Sequence, residues 1–124
     1  MLVGPIEAVR LFTRNTGEAC AFYSETLELT PSLTGNDLAI FETGQAKLVL
    51  ELCDTEDPEA AELVGRFAGL SFTVTDMAAS VATLKARGVA FDGPPERQDW
   101  GGVLAHFRDP DGNILTLVEY PSPG

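Results

Sequence analysis

The feature that most constrains this chain is that its pattern runs twice. "LFTRNTGEACAF" in the first half matches "SFTVTDMAASVAT" in the second, and "LAIFETG" matches "LAHFRDPDG". An internal repeat of about half the chain length accounts for this better than two accidental sub-patterns. In the first copy "IEAVRLFT" alternates as a strand, with Val9 and Leu11 on one face and Arg10 and Phe12 on the other. "GEACAFYSETL" has helical spacing: Ala19, Phe22, Tyr23 and Leu27 share one stripe behind a polar start at Asn15 and Thr16. "LELTPSL", "DLAIFET" and "AKLVLEL" read as three short strands divided by turn residues. The second copy repeats the order. Strand "GLSFTVTD" leads to helix "MAASVATLKARG", capped by Thr75 or Asp76 and stopped by Gly88. "VAFDGP", "GVLAHFRD" and "NILTLVEY" complete it as strands. The fold class is therefore α+β, a single domain over residues 1–124 built from two tandem βαβββ modules. Module one covers about 6–54 and module two about 67–120, and "DTEDPEAAELVGR" supplies an acidic linker over about 55–66 with room for a helical turn.

Composition excludes several roles. With 124 residues, 44% of them apolar, the chain can bury one ordinary core. A net charge of −11 with eight basic residues and no basic cluster sets nucleic acid aside. No apolar run approaches the ~18–20 residues that cross a bilayer. "MLVGPIEAVR" lacks the basic start and apolar centre of a signal peptide. The expectation is a cytoplasmic protein with no membrane partner. Cys20 and Cys53 belong to no CxxC or metal-type cluster and read as idle thiols. The acidity attracts cations, but it mostly serves solubility.

The closing stretch "HFRDPDGNILTLVEY" reads as strand, tight turn, strand. Pro110 sets φ, the Asp and Asn side chains bond back to the local backbone, and Gly112 takes a positive φ. Thr116 is then a polar residue inside the last strand, and residue statistics make it a β-branched residue on a half-exposed surface. Together with the paired modules, "AFYSETL" on the first helix and "FTVTD" opening the second half, this stretch resembles the vicinal oxygen chelate superfamily. That superfamily includes glyoxalase I, extradiol dioxygenases, fosfomycin-modifying enzymes and bleomycin resistance proteins. The resemblance covers roughly residues 6 to 120. It implies that each module curls its sheet into an open half-barrel, helix outside and concave cup inside, and that the protein is a homodimer.

The resemblance also implies where a metal would sit. Metal-dependent members place four ligands, His, Gln or Glu, in the cup: one early in the first strand of each module and one in each last strand. Those positions fall on Ala8, Glu51, Gly69 and Thr116; another alignment of the turn at Gly44 puts Val49 in place of Glu51. A catalytic divalent ion generally needs three protein ligands, and of these only Glu51 is a good donor. The expectation is no metal and no other cofactor. Glu7 would stand in for Ala8 only after a one-residue slip of the strand.

Strand parity populates the cup. If Val9, Leu11, Leu48, Leu50, Phe72, Val74, Phe107, Leu115 and Leu117 face the helices, the alternate residues face the cavity. The ligand-binding candidates are Arg10, Phe12, Ile40, Glu51, Trp100, His106 and Thr116, with no residue assigned to catalysis. Arg10 is expected to pair with Glu51. His106 reads as a neutral hydrogen-bonding wall. Trp100, beside Gly101 and Gly102, reads equally as an aromatic plane over the mouth or as a rim residue anchored in the core. The function that follows is a metal-independent protein binding a small cationic or aromatic molecule, as the bleomycin resistance branch does. The alternatives are a metal-dependent lyase, isomerase or dioxygenase of the same superfamily, and a metal-free enzyme using His106 and Glu51 as acid and base.

Overall fold

Both modules form, each as an open four-stranded sheet with one parallel and two antiparallel pairings. The computed structural model describes residues 2–122. It comprises two units, Met1–Arg66 and Phe67–Gly124. The first unit runs β1 (Ala8–Thr13), α1 (Thr16–Ala21), a π-helical segment (Phe22–Thr26), β2 (Thr30–Thr34), β3 (Leu38–Glu42), β4 (Lys47–Leu52) and α2 (Pro58–Ala61). The second runs β5 (Phe67–Thr73), α3 (Met77–Ala86), β6 (Glu96–Arg97), β7 (Val103–Arg108) and β8 (Ile114–Glu119). The strand orders β1-β4-β3-β2 and β5-β8-β7-β6 are the same topology repeated. Among the described residues no helix is long and apolar enough to cross a membrane.

The register repeats as well. Ile40 lies opposite Val49, and Phe41 opposite Leu48. Correspondingly, His106 lies opposite Thr116 and Phe107 opposite Leu115. The matching words "LAIFETG" and "LAHFRDPDG" are thus the same strand in the same place. On the helix side, Leu11, Phe41, Leu48 and Leu50 are buried in the first unit, and fully buried Tyr23 packs on Phe41 at 6.0 Å between centroids. In the second, Phe107, Leu115 and Leu117 are buried with Met77, Val81 and Leu84 of α3. Asn15 and Asp76 cap α1 and α3, accepting from the amides of Glu18 and Ala79.

Three local features differ from the periodic reading. The helix "GEACAFYSETL" is α only as far as Ala21; the Leu27 amide then reaches back to the Phe22 carbonyl at 3.0 Å. There the Ser24 hydroxyl donates to the Cys20 carbonyl at 2.7 Å, a back-bond that competes with the α ladder. The strand expected over "VAFDGP" is reduced to one bridge, Phe91 to Phe107, and the chain rejoins the sheet only at Glu96–Arg97. Pro94 and Pro95 have no N–H to give a ladder, which is why pairing breaks between. Finally, β5 starts at Phe67 rather than Gly69 and carries a bulge: Phe67 pairs with Ile114 and Ser71 with Thr116, leaving two extra residues on β5.

The turn before β8 is held by one side chain. Asp109, 6% exposed, accepts through Oδ1 from the amides of Asp111 and Asn113, both at 2.9 Å, and through Oδ2 from Asn113 Nδ2 at 2.9 Å. Gly112 sits at φ +83°, as the turn requires. Replacing Asp109 by Ala orphans three donors, of which the Asn113 groups are buried, so it should cost about 3 kcal/mol of unfolding free energy. Urea denaturation checks this; a loss below about 1 kcal/mol would mean that the turn holds without its carboxylate.

Candidate functional site

On the concave side of the second sheet, β8 is flanked on both sides, so Thr116 has Ser71 and His106 as cross-strand neighbours. This central place buries Thr116 to 3% exposure, which corrects the half-exposed expectation. Its hydroxyl meets His106 Nδ1 at 2.9 Å. The bond fixes the imidazole and leaves Nε2 as the ring nitrogen not committed to Thr116. The exposed ring of Phe67 stands edge-on to His106 at 6.1 Å and 67°.

Trp100 lies at the other end of this face. Gly102 continues the parity of Leu104 and His106, so its missing Cβ would point to the concave side. A Cβ built there would fall 2.0 Å from two indole carbons, so the six-membered ring of Trp100 occupies the space that a side chain at position 102 would take. Trp100 remains 53% exposed and pairs with Tyr120 at 5.8 Å. It therefore packs on Gly102 and Tyr120 with an open side rather than sitting in the core.

The first sheet carries an ion pair in the corresponding area. Arg10 donates to Glu51 through Nε at 2.8 Å and Nη2 at 2.9 Å, a two-pronged contact with Arg10 also 5.5 Å from the Phe12 ring centroid. The Arg10 hydrogen bond, with its charge, holds the Glu51 carboxyl below the usual carboxylate range against an opposing push from burial. Glu51 in turn raises Arg10 further. Ile40 completes this half-buried surface, facing Val49.

The shared register bears on the four family positions. Thr116 lies opposite His106, and the residue so placed in the first module is Val49, opposite Ile40; Glu51 corresponds to Val118. Ala8 stands opposite Lys47 with no slip, and Glu7 reaches the Lys47 ammonium at 3.2 Å. Gly69 lies in the β5 bulge at φ +69°, a backbone region that costs a side-chain-bearing residue about 1–2 kcal/mol. A methyl, an isopropyl, a hydrogen and a hydroxyl do not fit a divalent cation. Among the described residues no three His, Cys, Asp or Glu side chains come together as a metal site.

The periodic reading put Arg10, Phe12, Ile40, Glu51, His106 and Thr116 in one cup with Trp100 on a loop at its mouth; the structure divides them between the first sheet, with Arg10, Phe12, Ile40 and Glu51, and the second unit, with Trp100, His106 and Thr116. That reading missed Phe67 and Tyr120, both 63% exposed on the second unit. Phe67 lay just ahead of the strand read from Gly69, and Tyr120 only looked like a strand end. Their signal was weak: two aromatics at module edges, where packing does not require them.

The ion pair makes a direct prediction. Because Glu51 is lowered on folding, its stabilisation is fully present above the ordinary carboxylate value of ~4.3 and is lost as pH falls through the lower folded value. Arg10 is raised, so its share is present at all pH values below its already high ordinary range. Side-chain carboxyl NMR should show Glu51 titrating below the common range, and Arg10→Gln should move it upward. An unchanged midpoint in that variant would show that Arg10 does not hold the carboxylate.

Comparison with known proteins agrees with this architecture. Residues 6–117 match the model of the Glyoxalase/Bleomycin resistance protein/Dioxygenase superfamily. The chain is 29% identical over 121 residues to the uncharacterized protein YraH of Bacillus subtilis (strain 168), covering 90% of this chain and 94% of YraH. A superfamily member from Sphaerobacter thermophilus DSM 20745 superposes with a TM-score of 0.80 at 27% identity, over 96% of this chain and 99% of that one. Lactoylglutathione lyase from Agrobacterium tumefaciens shares the fold, with a TM-score of 0.74 at 22% identity over 94% of each chain. The repeated module, its register and these matches together place the chain in the Glyoxalase/Bleomycin resistance protein/Dioxygenase superfamily.

Proposed function

We propose that this protein binds a small aromatic or cationic molecule on its concave sheet surface without a metal, sequestering it rather than transforming it. The observation that carries the reading is the second-module face. One polar pair, His106 with Thr116, is set between exposed Phe67 at one end and the Trp100–Tyr120 pair at the other. Apolar walls with a few fixed polar groups suit a small organic ligand. Metal-dependent lyase, isomerase or dioxygenase chemistry finds less support, because the four family positions offer so little donation. A metal-free enzyme is the second reading, favoured by the fixed His106 ring. Glu51 is a poor acid for it, since Arg10 keeps the carboxylate ionised. We include a homodimer in the proposal. The open sheets leave apolar side chains such as Leu33 and Leu52 exposed. Pro31 and the irregularity beside it make β2 a poor edge for strand pairing, so contact through a face is the favoured mode.

Trp100 is the chain's only tryptophan and gives a clean signal. A thermal-shift screen of aromatic metabolites and natural-product antibiotics should yield a compound that alters its emission, and Trp100→Ala should weaken that compound about fivefold, the ~1 kcal/mol of one stacking contact. Gly102→Ala should do the same, because the added methyl displaces the indole. Metal analysis of untagged protein should find no stoichiometric divalent ion, and light scattering at micromolar concentration should give the dimer mass. A verified ligand that leaves Trp100 emission unchanged and binds both variants normally would move the site off this face. A bound divalent ion with turnover would favour the enzymatic reading.

A further inference from the structure

The broken strand in the second module leaves a notch. Phe91 bridges Phe107 and Glu96 pairs with Leu104, while the segment from Asp92 to Pro95 arcs away from the edge of β7. The Asp92 amide still donates to the His106 carbonyl at 3.0 Å, so the arc is tied down at one end. Its other end is tied by the pairing of Glu96 with Leu104, and the Glu96 carbonyl also accepts from Gln98 Nε2 at 3.0 Å. The notch is open to solvent and holds about 80 Å³, with Asp92, Pro94, Glu96, Gln98, Leu104 and His106 among its lining. That is far below the ~300 Å³ of a drug-sized pocket, and equals the liquid volume of about two to three waters. It suits one functional group of a larger ligand.

The lining selects the group. It contains two carboxylates and no lysine or arginine. Arg108 meets Asp92 from outside the notch at 3.0 Å and 3.5 Å, which compensates one carboxylate. The Glu96 carboxylate makes no ion pair among the described residues. Gln98 gives one of its two amide N–H groups to the Glu96 carbonyl and keeps its oxygen to accept. His106, with Nδ1 on Thr116, has Nε2 left to offer. If Nδ1 carries the proton and donates to Thr116, Nε2 is an acceptor, so a carboxylate, an amide oxygen and an imidazole nitrogen form an acceptor set. Acceptors without a cationic donor, on a chain of net charge −11, disfavour an anion and match a small cation.

We infer that this notch is a subsite for a primary ammonium or similarly small cationic group, carried by the ligand whose body lies on the adjoining face. The inference rests on the ligand-binding reading above and narrows its ligand class to amines. Glu96 is the specificity-determining residue, and Thr116 acts through His106 as a positioning residue.

Three probes test it on the full chain: 2-phenylethylamine, the isosteric neutral 2-phenylethanol, and methylammonium. Titrations are followed by the side-chain amide signal of Gln98 in 15N-correlated NMR and by Trp100 emission. The amine should bind about tenfold more tightly than the alcohol at low salt, with Gln98 shifting, and the gap should narrow as salt rises. Glu96→Gln should remove most of that preference, weakening the amine far more than the alcohol. Thr116→Val should perturb the His106 ring signals and weaken the amine more than the alcohol. Equal binding of amine and alcohol, or a preference that survives Glu96→Gln, overturns the subsite while leaving the ligand-binding reading in place. Methylammonium shifting Gln98 in a Glu96-dependent way, with no response of Trp100 to any probe, keeps the subsite and removes the aromatic stacking. If none of the three shifts Gln98, the notch is not a cation site.

Discussion

The structure depends on the pairing of β4 and β8, each held between a parallel neighbour on one side and an antiparallel neighbour on the other. A strand paired on both edges cannot slide without breaking two ladders and turning every side chain to the opposite face. Leu48 and Leu50, or Leu115 and Leu117, are therefore locked onto the helix side, and Val49, Glu51 and Thr116 onto the concave side. The chemistry of this protein is whatever those concave positions carry.

Within one register the two modules have diverged in chemistry. Arg10, Val49 and Ile40 occupy one row of the first sheet; Ser71, Thr116 and His106 occupy the same row of the second. The first row and its neighbour hold a charged pair that satisfies itself. The second holds a hydrogen-bonded pair, a buried hydroxyl on an imidazole, whose Nε2 is not committed to that bond. The β5 bulge at Gly69 breaks the symmetry of the ladder itself and brings Phe67 beside His106. Under the proposed function, these differences favour a ligand that is gripped by shape and hydrogen bonds, not by a metal at the module centre.

Much of this was legible in the amino-acid order. The repeat, the strand and helix sequence and the inward-facing leucines all follow from periods of 2 and 3.6, which side-chain geometry imposes locally. The Asp109–Asn113 turn is equally local, since each of its bonds spans four residues or fewer. The Arg10–Glu51 pair was within reach because parity put both on one face. Other features depend on interactions that periodicity cannot see. The π-helical turn at Phe22 and the arc at Asp92–Pro95 depend on competition among backbone hydrogen bonds, and Phe67 stands out only once the bulge has placed it.

The sequence by itself determined the two βαβββ modules and which side of each sheet the residues of the central strands face, because a two-residue alternation leaves only one way to bury the leucines. Tertiary structure alone decided which of those residues meet. Thr116 is buried because β5 and β7 flank it, its hydroxyl finds His106 because β7 and β8 pair in one register, and Trp100 packs against Gly102 because that residue has no side chain to hold it off. Those contacts join residues from separate strands and loops, and their geometry exists only when the ladders have closed.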